Sequence, residues 1–211
     1  MSPRHLLEQN RAWVAEHTQR DPEYFRRQAA RHEPHCVFIG CSDARVPADR
    51  IVGTEGGEMF VHRNIANQVV ATDNNLLAVV QYAVEVLEVC DIIVCGHEQC
   101  GGVRAALDSP APTHVEGWLA QVRTVARLHQ EKLTAISDPA ARCAALVDLN
   151  VREQVRNLSR LPVIQAAWAA GRPLQLHGWV YGLSDGLLRD LQIGLMTDGA
   201  DTGHQRARRA G

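Results

Sequence analysis

Two short apolar runs each end in a cluster of chemically reactive residues, and this constrains the chain more than any other feature. Residues 36–40 (CVFIG) lead into Cys41-Ser42-Asp43-Ala44-Arg45, and residues 91–96 (DIIVCG) lead into His97-Glu98-Gln99-Cys100-Gly101-Gly102. Runs this short and this apolar are expected to form strands buried on both faces. Residues 59–63 (MFVHR) and 174–180 (LQLHGWV) read the same way. Between the second and third runs, residues 74–88 carry Leu76, Leu77, Val79, Val80, Ala83, Val84, Val86 and Leu87. That pattern predicts a helix apolar on most faces, hence buried, in part at a subunit interface. Residues 114–171 read as mainly helical, interrupted at Asp138-Pro139 and Pro162 and stopped at Gly171-Arg172-Pro173. Strands separated by helices imply an α/β fold: a central, mostly parallel β-sheet flanked by helices.

Ahead of the first strand, Leu6, Leu7, Trp13 and Val14 recur at helical spacing. Asp21-Pro22 reads as an N-cap and first helical residue for a second helix with Tyr24 and Phe25. This helical arm, residues 1–34, has little local core to bury against. It either wraps a neighbouring subunit or packs on its own domain. Residues 1–195 are expected to be one domain, since 211 residues supply one sizeable core. Residues 196–211 are polar, with Arg206, Arg208 and Arg209, and are expected to be a flexible, solvated tail.

Composition narrows the function. A net charge of -2 argues against a nucleic-acid partner. No apolar run approaches the length a bilayer needs, so no membrane span is expected. Arg4, Glu8, Arg11 and Glu16 interrupt the N-terminal region, which lacks the apolar core of a signal peptide, so a cytoplasmic location is the expectation. In that compartment the six cysteines read as ligands or buried thiols rather than disulfide partners.

The strand ends suggest a metal. Cys41, Asp43 and Arg45 are spaced to face one side of an extended segment, and His97 and Cys100 to meet where the chain turns helical. Strand carboxyl ends are where open α/β sheets bind ligands. Two thiolates and an imidazole suit zinc rather than magnesium or calcium. Three protein ligands leave a fourth position for water, as in catalytic sites, whereas a structural site would supply a fourth Cys or His. Cys95 is the nearest candidate, but it lies within an apolar strand. Cys36, Cys90 and Cys143 read as small hydrophobes. Seven histidines (5, 17, 32, 35, 114, 129 and 204) read as surface residues, and His62 and His177 as core groups with partners.

Cys41-Ser-Asp-Ala-Arg-Val46 with Gly96-His-Glu-Gln-Cys-Gly-Gly102 resembles the signature of the β-class carbonic anhydrases. Phe60-Val-His-Arg-Asn-Ile-Ala-Asn67 resembles a third hallmark of that family, and Asn150-Val151, Gln154-Val155, Asn157-Leu158 and His177–Tyr181 match it further on. The resemblance implies a carbonate dehydratase (EC 4.2.1.1) that interconverts carbon dioxide and bicarbonate by attack of zinc-bound hydroxide. It implies one zinc per chain on Cys41, His97 and Cys100, with Asp43 and Arg45 as the catalytic pair. It also implies a homodimer or homotetramer in which the N-terminal helices embrace the partner. In a bicarbonate-regulated group of the family, Asp43 would become a fourth ligand in a closed state. The effector would lie among Arg63, Tyr181 and the position of Phe38, where that group has Trp. Phe lacks the indole N–H, so weaker effector binding is expected. Another departure is Glu55-Gly56-Gly57-Glu58, which lacks a proline common in the family. The motifs leave open a hydrolase of carbon disulfide or carbonyl sulfide on the same scaffold, and a closed structural zinc site. A thiol redox protein is disfavoured because no Cys-x-x-Cys pair occurs.

Overall fold

The computed structural model describes residues 2–108 and 110–195, so the polar stretch 196–211 lies outside the described residues. In chain order the elements are α1 (Pro3–Arg20), α2 (Tyr24–Ala30), β1 (Cys36–Cys41), α3 (Ala48–Val52), β2 (Met59–Asn64), a 3-10 turn (Ile65–Asn67), α4 (Asn74–Glu85) and β3 (Asp91–His97). There follow α5 (Gly101–Leu107), α6 (Thr113–Trp118), α7 (Ala120–Leu128), α8 (Gln130–Thr134), α9 (Pro139–Ser159), α10 (Pro162–Ala169), β4 (Gln175–Tyr181) and β5 (Leu188–Asp190). The sheet order is β2-β1-β3-β4-β5; the first four strands are parallel and β5 runs antiparallel to β4. This is the α/β sheet the apolar runs imply, with each of those runs forming a strand. β5 is an addition: three residues, two of them exposed, leave no alternating pattern to find.

The central strands β1 and β3 are buried along almost their whole length, which is why their sequences read as unbroken apolar runs. One face packs Val37, Ile39, Ile92, Val94 and Leu176 into the main core with Val147, Val151 and Val155 of α9. Two strand glycines let α9 approach closely. A Cβ at Gly96 would lie 2.6 Å from Val151 Cγ2, and one at Gly178 would lie 2.6 Å from Ile193 Cδ1 and 3.1 Å from Val151 Cγ1. The other face holds a smaller cluster of Phe38, Ala48, Ile93 and Cys95, edged by Met59, Trp179 and Tyr181.

Two local expectations change, at Asp21 and at Cys90. Asp21 is not the N-cap of α2: its backbone N–H bonds His17 O and closes α1, while its carboxylate accepts from Glu23 N–H, so the helix begins at Tyr24. Helix α4 is covered on one face only, through Leu76, Val80, Ala83 and Val84, while Tyr82 and Val86 stay exposed. Cys90 is exposed rather than a buried hydrophobe, because it sits just before β3. Helix α1 has no buried residue, and Leu6, Leu7, Trp13 and Val14 are exposed along it. Among the described residues, no helix is long and apolar enough to cross a membrane.

Candidate metal centre

The centre forms where β1 and β3 end side by side. Cys41 is the last residue of β1 and His97 the last of β3. The chain then turns through Gln99, whose φ of 52° is left-handed, and brings Cys100 to the N-cap of α5. His97 and Cys100 therefore meet through a turn between strand and helix rather than on one helical face. Asp43 and Arg45 join Cys41 in a similar way. After Cys41 the chain leaves the sheet in a turn closed by Val46 N–H on Asp43 O at 3.0 Å, so an extended segment is not what gathers them.

Cys41, His97 and Cys100 are buried, and one ligand atom from each lies within 4.8 Å of the others. The two sulfurs are 3.9 Å apart. Two sulfurs bound at about 2.3 Å to one tetrahedral ion would stand roughly 3.8 Å apart. His97 Nδ1 faces the Glu98 carbonyl at 2.8 Å, which assigns that nitrogen its proton and leaves Nε2 with a free lone pair. Nε2 is fully buried and has no hydrogen-bond partner among the described residues. A buried imidazole nitrogen without a partner, facing two thiols, is a donor set that fits zinc.

The hydrogen bond from Cys100 pulls the Cys41 thiol well below its ordinary range, and the same contact, together with burial, raises Cys100. Cys95 is not part of this cluster. It lies in the smaller core on the opposite sheet face, with its thiol on Gly96 O at 3.3 Å, and burial pushes it up to about 12.

Asp43 borders the cluster, with Oδ2 3.8 Å from His97 Nε2. Arg45 donates to it from Nε at 2.9 Å and from Nη2 at 2.7 Å, and Arg45 N–H adds a bond of 3.0 Å. The guanidinium holds the Asp43 carboxyl far below the usual carboxylate range. Arg63 donates from Nε to Cys41 O at 2.8 Å and from Nη2 to Asp43 O at 2.6 Å. Phe38 is wholly buried in the smaller core, and Tyr181 lies half-buried at its edge. The two remaining strand histidines have partners: His62 meets Asn64 Nδ2 at 3.2 Å, and His177 meets Asp91 at 2.7 Å. A cavity of about 460 Å³ opens elsewhere, beside Leu77, Val125, Leu128 and Leu161, and includes none of the metal-centre residues.

Sequence reasoning assigned no role to the turn at Ala66 and Asn67 or to the amides of α9 that hold it. Asn67, a residue type that tolerates left-handed backbone, is the one local signal for the turn.

Comparison with known proteins agrees with this geometry. The family model described as carbonic anhydrase matches residues 36–188. A carbonic anhydrase of Emericella nidulans is 47% identical over 197 residues, covering 92% of this chain and 86% of that protein. A tetrameric β-carbonic anhydrase of Sordaria macrospora superposes with a TM-score of 0.88 at 38% identity, covering 90% of this chain and 97% of that one. The Coccomyxa β-carbonic anhydrase, solved with acetazolamide, gives 0.87 at 36% identity, covering 90% and 86%. The matched region contains every residue of the Cys-His-Cys cluster and the strands that present it, and on these grounds the chain belongs to the carbonic anhydrase family, in its zinc-dependent β class.

Proposed function

We propose that this protein hydrates carbon dioxide to bicarbonate and a proton, reversibly, at a centre held by Cys41, His97 and Cys100. The observation that carries the reading is the pairing of a buried three-ligand cluster with a carboxylate fixed beside it. Zinc at such a site supplies a Lewis acid that makes water a nucleophile near neutral pH. The protein supplies the rest. Cys41 and Cys100 bind as thiolates and His97 binds through Nε2, its tautomer fixed by the Glu98 carbonyl. Asp43 accepts a hydrogen bond from the attacking water and so aims an oxygen lone pair at the carbon. Arg45 keeps that carboxylate ionised and oriented. The released proton passes to solvent. Two thiolates donate more charge than imidazoles would, so activity is expected to rise at alkaline pH.

Bicarbonate also serves, in this proposal, as a weak inhibitor acting through Phe38, Arg63 and Tyr181. Phe38 offers no N–H, and Arg63 already donates to two carbonyl oxygens of the Cys41–Asp43 loop. An effector must compete for those donors, which weakens its binding. Closure would release Asp43 from Arg45 to become a fourth ligand.

Residues 1–195 act here as one unit, assembled as a homodimer or homotetramer. The exposed apolar residues of α1, with Val61, Ile65, Tyr82 and Val86, support an interface between copies. The six free cysteines support a reducing, cytoplasmic setting.

Stopped-flow hydration at about pH 7.5 and about pH 9 tests the reading, with wild type beside Cys41→Ala. Activity that rises with pH and vanishes in the variant, with one zinc per wild-type chain, is expected. Zinc-loaded wild type with no hydration at either pH would overturn it.

A further inference from the structure

We infer that two buried amides of α9, Asn150 and Gln154, are positioning residues for the segment that carries the ligands His97 and Cys100, and act through the Ala66–Asn67 turn. This rests on the reading of Cys41, His97 and Cys100 as metal ligands.

The turn is unusual in its backbone. Ala66 has φ 64° and ψ 29°, and Asn67 has φ 44°. Two consecutive residues other than glycine in left-handed conformations persist only where their surroundings hold them. The holding groups lie on one face of α9, at positions four and three residues apart. Asn150 Nδ2 donates to Ala66 O at 3.0 Å, and Gln154 Nε2 donates to Asn150 Oδ1 at 2.9 Å. Gln154 Oε1 accepts Val69 N–H at 2.8 Å and Asn157 Nδ2 at 3.2 Å. The ladder thus grips residues 66–69 at both ends. Asn150 and Gln154 are wholly buried. An apolar side chain would fill that volume without desolvating an amide, so packing alone does not account for them.

The turn in its place packs against both ends of the segment that carries His97 and Cys100. A Cβ at Gly102, two residues after Cys100, would meet Ile65 Cγ2 at 2.7 Å and Ala66 Cβ at 3.3 Å. A Cβ at Gly96, just before His97, would lie 3.7 Å from Asn67 Oδ1. Rotating Ala66 into the right-handed region would disturb this packing. The amide ladder opposes that rotation, so a group on α9 that touches neither substrate nor metal sets the geometry of a ligand.

The test compares zinc-loaded wild type with Asn150→Ala, using Leu158→Ala as a control. Leu158 is buried on the same helix but is not a hydrogen-bond partner of the turn. Three quantities are read: zinc retention against a chelator, the thiolate-to-metal charge-transfer band after cobalt(II) substitution, and kcat and KM separately. Asn150→Ala is expected to weaken zinc retention by about 10- to 100-fold, to shift the cobalt band, and to lower kcat more than it raises KM. Leu158→Ala should lose thermal stability yet keep zinc retention within about twofold of wild type. Equal zinc retention and identical cobalt spectra in the two variants would overturn the inference. If Asn150→Ala fails to fold, Gln154→Met takes its place: a fall in zinc retention of about threefold or more supports the ladder, and an unchanged value rejects it. Wild type that binds no zinc would instead overturn the reading of the metal centre itself.

Discussion

Arg45 grips Asp43 with both arms of its guanidinium, Nε to Oδ1 at 2.9 Å and Nη2 to Oδ2 at 2.7 Å, and so fixes the orientation of a carboxylate whose Oδ2 stands 3.8 Å from His97 Nε2. A lysine offers one compact charge and cannot reproduce the fork. Arg45→Lys is therefore expected to leave Asp43 free to rotate toward the metal and block the open position. Hydration at neutral pH should fall by about 10- to 100-fold while zinc content stays at one per chain. Hydration within about twofold of wild type, measured by stopped flow on metal-analysed protein, would mean that another group orients Asp43.

Gly96 directly precedes the ligand His97 within the buried strand β3. A Cβ there would stand 2.6 Å from Val151 Cγ2 and 3.1 Å from Val147 Cγ1, both on α9 and both buried. Neither β-branched side chain can swing aside. Gly96→Ala should cost about 1–3 kcal/mol in denaturant unfolding and reduce activity by displacing His97. Adding Val151→Ala removes the clashing methyl, so the double variant should be more stable than the two single losses add up to. Strict additivity would show that the clash is relieved elsewhere.

Much of the fold and most of the centre could be read from the sequence, for identifiable reasons. The central strands β1 and β3 are apolar because they are buried on both faces, and Cys41, His97 and Cys100 stand at or just past their ends. What could not be read was long-range. Asp43 and Arg45 meet through a turn rather than by alternation, which only the backbone path after Cys41 reveals. Ala66 gives no local sign of a left-handed backbone, since alanine is a poor choice for it; the group that bonds its carbonyl, Asn150, lies 84 residues later. On α4 a sequence cannot divide burial within a subunit from burial between subunits: Leu76, Val80, Ala83 and Val84 are covered by this chain, and Tyr82 and Val86 are not.

Glu116 predicts how one surface joint responds to acid. Its Oε2 accepts Arg123 Nη2 at 2.7 Å and Ala111 N–H at 2.9 Å, and Arg123 also donates to the Ala105 and Ala106 carbonyls at the end of α5. The hydrogen bond from Arg123, followed by that from Ala111, lowers the Glu116 carboxyl below its ordinary value of 4.5. A carboxylate depressed on folding contributes stability above its unfolded value and loses it as pH falls through the folded value. Glu116→Gln should therefore lower the urea midpoint near neutral pH, with the gap to wild type closing as pH drops below about 4.5. A gap that is constant with pH would assign the effect to packing rather than charge.

Helix α1 is the clearest sign that this chain is completed by another copy. It has 18 residues, about 27 Å of helix, and none of them is buried. Leu6 and Trp13, like Leu7 and Val14, are seven residues apart and form one exposed apolar stripe. The helix is anchored to α2 through Trp13 against Phe25, with ring centroids 5.3 Å apart, and α2 is tied to the loop before β2 by Tyr24 Oη donating to Glu55 at 3.0 Å. The arm is thus positioned but uncovered. Deleting residues 2–20 should leave the sheet and its centre folded, with zinc still bound, because nothing in the core depends on α1. The same deletion, and the milder Leu7→Glu, should shift the protein to a smaller assembly in sedimentation at micromolar concentration. An unchanged mass in both variants would remove α1 from the interface and leave β2 and the exposed face of α4 to hold the copies together.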